Sequence, residues 1–178
     1  MSKSKIFIFH ILLWSLSPSL AQDMVNPVIE TYGGIYDIPE ATVRPSSDLE
    51  FKVVIDLYSG SASPDKLNPA LNNVARMINL HAIGGAIQSM DIVLAIHGQA
   101  NDVVLSNNHY FDRYNVDNPN VELIRSLKAA GVKLTVCGQS LIGNNVTADQ
   151  VLEEVDIATS MLTTVTTYQL KGYALLSF

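Results

Sequence analysis

The chain contains one cysteine, Cys137, and this residue is the strongest candidate for chemistry in the sequence. A thiol acts as a nucleophile or accepts sulfur only as a thiolate, and loop amides or a nearby imidazolium favour that form. Gly138 follows Cys137 at the predicted end of a strand, where backbone amides can point at the sulfur. Because one cysteine forms neither an internal disulfide nor a dithiol cycle, three roles stay open: a buried inert thiol, an intermolecular disulfide and a working single thiol.

His97 is the second candidate, because an imidazole can serve as a base or charge partner for Cys137. A packed histidine, hydrogen-bonded to a loop carbonyl, explains the same residue. His81 and His109 lie 16 and 12 residues from it, spacings that match no metal motif, so we predict no metal site. The chain also lacks a phosphate loop and a dinucleotide fingerprint, so we predict no cofactor. Asp56, inside a predicted strand, is expected to make a structural hydrogen bond.

Three predicted strands lead to these candidates. Residues 51–58, 91–97 and 132–137 form apolar, β-branched runs that are typical of buried parallel strands. Ligands of an open parallel sheet bind beyond the carboxyl ends of its strands, so the residues that follow the strands are candidates for binding. These residues are Tyr58, Ser59, Gly98, Gly138, Gln139 and Ser140. We expect them to gather with Cys137 and His97 along one edge of the sheet.

Helical patterns alternate with the strands, and together they predict the fold class. Apolar residues recur at helical spacing over residues 67–78 and again over 119–128. Thr147 and Gln150 form a capping box that predicts a helix at 151–154. The remaining segments are a polar, irregular stretch at 99–117 with one short helix near 103–105, a short strand at 155–158, a helix at 160–171 and a final strand at 173–178. This alternation predicts a three-layer α/β sandwich around a mainly parallel sheet of about five strands.

The first 50 residues divide into two segments of different composition. Residues 1–21 begin with two lysines, continue with an apolar stretch and end in a small-residue cleavage site, which is the pattern of a secretory signal peptide. Residues 22–50 contain three prolines and scattered apolar side chains, as expected for an arm that packs on a surface. We therefore predict a signal peptide at 1–21, an N-terminal arm at 22–50, an α/β domain at 51–178 and a periplasmic or secreted location.

Charge and hydropathy exclude several classes of partner. The formal net charge of −6 becomes −8 without the predicted signal peptide, which contains two lysines and no acidic residue. An acidic chain without a cluster of Lys and Arg does not fit a nucleic acid or an acidic membrane surface. No second long apolar run follows, so we predict no membrane insertion after signal cleavage. The apolar sheet and arm make a homo-oligomer the expected assembly.

Four segments resemble the successive strand motifs of the DsrE/DsrF-like family: FKVVID at 51–56, IVLAIHG at 92–98, VKLTVCGQS at 132–140 and QLKGYA at 169–174. The similarity covers about residues 48–178 and is greatest to a secreted branch with a proline-bearing arm. It implies a YchN-like α/β fold that assembles as a trimer or hexamer. In the sulfur-relay members a cysteine near the carboxyl edge of the sheet carries persulfide sulfur, and Cys137 is the matching position here.

Three hypotheses about function follow. In the first, Cys137 is a persulfide carrier or the thiol of a sulfurtransferase, and it exchanges sulfur with a donor or acceptor protein. In the second, the chain is a non-enzymatic oligomeric module that binds a small molecule or a protein and merely packs Cys137. In the third, a cysteine hydrolase uses His97 as its base. These residues do not decide whether the protein is an enzyme.

Overall fold

The structure, a computed structural model, describes residues 22–86 and 90–178, so the predicted signal peptide at 1–21 lies outside the described residues. The strands are β1 (Phe51–Leu57), β2 (Met90–Ile96), β3 (Lys133–Cys137), β4 (Asp156–Ala158) and β5 (Ala174–Ser177). The α-helices are α1 (Pro69–Ile83), α2 (Asn107–Tyr114), α3 (Val121–Ala129), α4 (Gly138–Gly143) and α5 (Met161–Leu170). Two 3-10 helices, Gly98–Val104 and Ala148–Gln150, follow β2 and α4. Within the described ranges no helix is both long and apolar enough to cross a membrane.

The strands of the described chain form one parallel sheet in the order β4-β3-β2-β1-β5. Helices α1 and α3 cover one face, where Ile55, Leu94 and Val136 belong to the larger core. Helix α5 covers the other face, where Val165 shares a smaller core with Val54. We call this second side the α5 face. Because β1 is covered on both sides, its consecutive residues Val54 and Ile55, which point to opposite faces of the sheet, are both buried. The arrangement confirms the predicted three-layer α/β fold.

The predicted helix at 151–154 is wrong. Its capping box, Thr147 and Gln150, is present but closes only a 3-10 turn. Beyond this turn the backbone N–H of Leu152 donates to the carbonyl of Val104 at 2.8 Å, and the side chain of Leu152 is buried. This long-range pairing keeps the chain extended and outweighs the local preference for a helix.

The stretch at 99–117, predicted to be irregular apart from one short helix near 103–105, contains most of a 3-10 helix and all of α2. In α2 only Tyr110 is buried, so the helix has no apolar periodicity by which it could be predicted. Residues 138–140, for which no helix is predicted, are likewise the start of α4, whose six residues are too few to show a periodic pattern. Both helices lie beside the carboxyl edge of the sheet, where local sequence signals are weakest.

The N-terminal arm packs on its own domain. Asn79, fully buried on α1, accepts hydrogen bonds from the backbone N–H groups of Val28 and Ile29 at 3.0 and 2.9 Å. Its side-chain amide donates to the carbonyls of Tyr32 and Gly33 at 3.0 and 3.1 Å. One asparagine therefore satisfies four backbone groups of the arm, which would otherwise be costly to bury.

Candidate functional site

Three polar side chains share the α5 face at the carboxyl edge of the sheet: Asp56, His97 and Cys137. Ile96 of β2 pairs with Val136 of β3, so the next residues, His97 and Cys137, occupy neighbouring positions. Side chains alternate between the faces of a strand. Because Ile96 and Val136 belong to the larger core, His97 and Cys137 point to the opposite face, which α5 covers.

The thiol of Cys137 is almost buried, with 6% of the residue exposed, yet its surroundings are polar. Its Sγ atom lies 4.0 Å from the hydroxyl of Ser160. Burial raises the pKa of the Cys137 thiol, but hydrogen bonds from the Ser140 hydroxyl, the backbone amides of Met161 and Ser140, and the Ser160 hydroxyl outweigh it. The pKa of Cys137 is therefore lowered from its ordinary value, and the thiolate is favoured.

The start of α5 explains why amides reach the sulfur. Ser160 is the N-cap of this helix, and its side chain accepts from the backbone N–H of Leu162 at 3.2 Å. β4 leads into the cap, and its last residue, Ala158, pairs with Cys137. The N-terminus of a helix carries a partial positive charge, which stabilises a thiolate beside it. A Cβ atom on Gly138 would lie 2.9 Å from the carbonyl oxygen of Ala158, so glycine allows this close approach.

The connections after β3 and β4 run to opposite faces of the sheet. Leu141 of α4 packs in the larger core, whereas α5 lies on the other face. In open α/β sheets ligands bind beyond the carboxyl ends of the strands, at the position where the connections diverge in this way. Cys137 lies at this position, between the ends of β3 and β4.

His97 lies on the same edge as Cys137, but its ring turns to β1. Its Nε2 atom is 2.5 Å from Oδ1 of Asp56, and its ring centroid is 5.3 Å from that of Tyr58. The structure thus pairs His97 with Asp56. Among the described side chains, His97 makes no direct contact with Cys137, the partner considered for it from the sequence. Asp56 has a hydrogen bond, as expected, but its partner is a candidate site residue.

The predicted binding residues divide between these two centres. Gly98 has a φ of +58°, and a Cβ atom there would lie 2.3 Å from the ring of Tyr58. Its N–H donates to the hydroxyl of Ser140 at 3.5 Å, which links the end of β2 to α4, the helix that follows Cys137. Ser59 donates its N–H to the carbonyl of Phe178 at the end of β5. Gln139, the last of the predicted binding residues, is exposed on α4.

The most prominent cavity at this edge, about 260 Å³, lies away from the thiol. It is bounded by the loop 60–64, by Asp102 and by the rings of Tyr110 and Tyr114. Asp102 is engaged by Arg113 at 2.6 Å and by the Tyr114 hydroxyl, and burial raises the pKa of Tyr114 to about 12. Cys137 is not among the residues that line this cavity.

Ser140→Ala should slow alkylation of Cys137 at neutral pH several-fold. The Ser140 hydroxyl is one of the groups that lower the pKa of the thiol, so its removal raises that pKa and reduces the thiolate fraction at pH values below it. Iodoacetamide labelling followed by mass spectrometry gives the rate as a function of pH. The half-maximal rate should move to higher pH, while the rate in strong base stays the same.

The matched control is Ser126→Ala on α3, whose hydroxyl donates to the carbonyl of Glu122 away from the thiol. This variant should keep the wild-type profile. An unchanged profile in Ser140→Ala would contradict the assigned hydrogen bond.

These features define a class of protein: a parallel α/β domain with one cysteine, held by hydrogen bonds at the carboxyl edge of its sheet. The chain belongs to the DsrE/DsrF-like family, whose model matches residues 52–178. This confirms the resemblance of the strand motifs. No curated protein matches the sequence.

Two solved structures show the same fold. They are the ychN protein from E. coli and MTH1491, a protein of unknown function from Methanobacterium thermoautotrophicum. Each is 19% identical to this chain and covers 72% of it and 99% of its own length, with a TM-score of 0.53. At this identity the similarity shows the fold alone.

Proposed function

We propose that the protein is an exported sulfur carrier, or a sulfurtransferase-type protein, in which Cys137 holds sulfur as a persulfide. The observation that carries the proposal is the hydrogen-bonded thiol, whose lowered pKa favours the reactive thiolate. Membership of the DsrE/DsrF-like family, which is generally linked to sulfur relay, supports the same chemistry. One sulfur atom is enough to hold another, so a single cysteine suffices.

The exchange balances without an oxidant or a reductant. The Cys137 thiolate attacks the outer sulfur of a donor persulfide, the S–S bond of the donor breaks, and the donor leaves as a thiolate. A Cys137 persulfide results. In the second step an acceptor nucleophile attacks the outer sulfur, the new S–S bond breaks, and Cys137 returns to its thiolate form. The amides and hydroxyls around Sγ stabilise that leaving group.

Intact-protein mass spectrometry of material purified from the exporting cell tests this proposal. A periplasmic or secreted carrier should begin at Gln22, because the signal pattern ends at Ala21. Part of the sample should also carry the mass of one additional sulfur atom, removable by a reductant. A protein that retains residues 1–21 would contradict export, and one that never carries extra sulfur would contradict the carrier function.

The burial of Cys137 favours a second candidate function. Only 6% of the residue is exposed, as expected for a packed cysteine in a non-enzymatic oligomeric module that binds a small molecule or a protein. Equal ligand or partner binding by wild type and Cys137→Ser would favour the module, and loss of binding would favour the carrier. A cysteine hydrolase would need His97 as the base of Cys137, whereas no hydrogen bond joins these two side chains in the described part of the chain.

We also propose that the protein assembles as a homo-oligomer, a trimer or a hexamer. In this acidic chain two segments contain no charged residue: 134–148, which includes Cys137, and 157–170. The hydroxyls of Thr163 and Thr166 donate to the backbone carbonyls of Ser160 and Leu162, so the hydrogen bonds of these exposed polar groups are satisfied within the helix and its cap. Exposed aliphatic side chains extend this surface on the α5 face: Leu162 and Leu170 on α5, and Leu175 on β5. Copies of an acidic chain approach most readily through an uncharged surface.

Leu170→Glu should dissociate this assembly. Leu170 is 90% exposed at the end of α5, so glutamate there leaves the fold intact but buries a charge in the proposed interface. Light scattering at micromolar concentration should show an oligomer for the wild type and smaller species for the variant. The matched control is Val43→Glu on the arm, also 90% exposed, which should stay oligomeric. A monomeric wild type would contradict the proposal.

A further inference from the structure

We propose that Asp56 is a positioning residue that makes His97 the proton acceptor for a thiol that takes sulfur from Cys137. The inference rests on the proposed carrier function and names the substrate class of its second step: a thiol, rather than an anion that carries no proton. It assigns a role to the one carboxylate on the α5 face at the carboxyl edge of β1, where the rest of the strand end is apolar.

The contact with Asp56 selects one tautomer of the His97 ring. A carboxylate only accepts hydrogen bonds, so the 2.5 Å contact with Asp56 Oδ1 requires the proton to be on Nε2 of a neutral His97. Nδ1 then carries the lone pair. No hydrogen-bond partner of Nδ1 occurs in the described part of the chain, and 14% of the His97 side chain is exposed. This nitrogen is therefore available as a base.

His97 lies close to Cys137 at the carboxyl edge of the sheet. His97 and Cys137 follow a register pair of β2 and β3 and lie on the same sheet face, so their Cα atoms are about 5 Å apart. Asp56 holds the ring from the far side, on β1. An acceptor approaching the sulfur along the carboxyl edge therefore comes beside His97, while the ring itself is kept from packing onto Cys137.

The ionisable groups near His97 are few. β1 contributes Asp56 and Tyr58, and β3 contributes Cys137. The segment after β2 contributes Asp102, which is paired with Arg113 at 2.6 Å. Helix α4 and the first two turns of α5 carry no ionisable side chain. A proton that leaves an acceptor at this edge therefore has one well-placed base, His97, among the described side chains.

Proton transfer to His97 begins the reaction of the acceptor thiol with the Cys137 persulfide. The S–H bond of the acceptor breaks as its proton moves to Nδ1 of His97, and the resulting thiolate attacks the outer sulfur of the Cys137 persulfide. The S–S bond breaks, Cys137 leaves as a thiolate, and His97 returns its proton to solvent. A free thiol has a pKa of about 8.5, so roughly 3% is ionised at pH 7, and a base can accelerate transfer by up to about thirtyfold. Sulfite attacks as an anion and gains nothing from this base.

The experiment measures discharge of the Cys137 persulfide to a small thiol and, separately, to sulfite, in the full chain. Asp56→Asn and His97→Gln should each slow transfer to the thiol by about tenfold or more at pH 7. The deficit should vanish above about pH 9.5, where the thiol ionises by itself. Transfer to sulfite should stay at the wild-type rate, and the double variant should be no slower than His97→Gln alone. Asp91→Asn is the matched control, since Asp91 lies at the opposite end of β2 and binds Lys133 and Tyr173.

Each other outcome overturns the inference in an identifiable way. Equal losses with the thiol and sulfite would mean that Asp56 only maintains the structure. A wild-type rate with the thiol in both variants would mean that His97 takes no proton. A wild-type protein that never forms the persulfide would remove the proposed function itself, and this result is seen before any discharge is measured.

Discussion

Replacing Cys137 with serine should abolish sulfur loading completely. Cys137 carries the only thiol in the chain, and a serine hydroxyl at this position is not ionised near neutral pH. After incubation with a small-molecule persulfide, the wild type should gain the mass of one sulfur atom and Cys137→Ser should gain nothing. Intact-protein mass spectrometry measures both species directly.

The pH dependence of loading provides a second readout of the same thiol. Hydrogen bonds around Sγ lower the pKa of Cys137, so the thiolate persists at pH values below the ordinary thiol range. Loading should therefore continue as the pH falls below that range and fail only as the pH falls through the lowered pKa. If burial dominated the pKa of the Cys137 thiol, the pH at which loading fails would instead move above the ordinary thiol range.

Thr135→Ser is the matched control for the cysteine variant. Thr135 lies two residues before Cys137 on the same face, and serine retains its hydrogen bond to the carbonyl of Leu94. This variant should load as the wild type does. If Cys137→Ser still gained sulfur, the sulfur would be bound elsewhere and the assignment of the site would be wrong.

Gly33→Ala should destabilise the fold by about 2 to 5 kcal/mol. Gly33 has a φ of +65°, and a Cβ atom there would lie 2.2 Å from the backbone nitrogen of Arg76 and 2.4 Å from the backbone carbon of Ala75. Helix α1 cannot yield at these atoms without breaking its own hydrogen bonds. The overlap and the unfavourable backbone region add to give the expected loss. Urea unfolding of the two proteins measures it.

The neighbouring glycine supplies the control. A Cβ atom on Gly34 would lie 3.1 Å from the sulfur of Met24, the end of a flexible side chain that can move aside. Gly34→Ala should therefore change the free energy of unfolding by less than about 1 kcal/mol. Limited proteolysis should cleave the arm of Gly33→Ala first, because the hydrogen bond from its N–H to Asn72, 2.9 Å long, is lost with the docking. Equal stability of the two variants would contradict the docking of the arm on α1.

The main strands were predictable because their signals are local. The apolar run FKVVIDL corresponds to β1, and similar runs correspond to β2 and β3. A strand buried on both faces needs a continuous apolar stretch, and few other structures produce one. Helix α2 was missed for the converse reason, since most of its residues face solvent and only Tyr110 is buried. The capping box at Thr147 led to the wrong prediction of a helix, because the hydrogen bond between Leu152 and Val104 keeps the chain extended there.

Cys137 could be singled out from the sequence alone, since it is the only cysteine and precedes a glycine at a strand end. Part of the lowering of its pKa is local, because it comes from the hydroxyl and the backbone amide of Ser140, three residues away. The rest comes from Ser160 and Met161, more than 20 residues away, which β4 carries to the sulfur by pairing with β3. The sequence contained the hydroxyl and the helix start but no indication of which strand end they would meet.

By itself, the sequence determined the alternation of strands and helices, the family and the single thiol, because each depends on residue types and short spacings. The tertiary structure alone decided that His97 pairs with Asp56, that the arm rests on α1, and that the thiol meets the start of α5. The first of these joins residues 41 positions apart. Such contacts follow from strand order and register, which depend on the packing of the whole sheet rather than on any local stretch of residues.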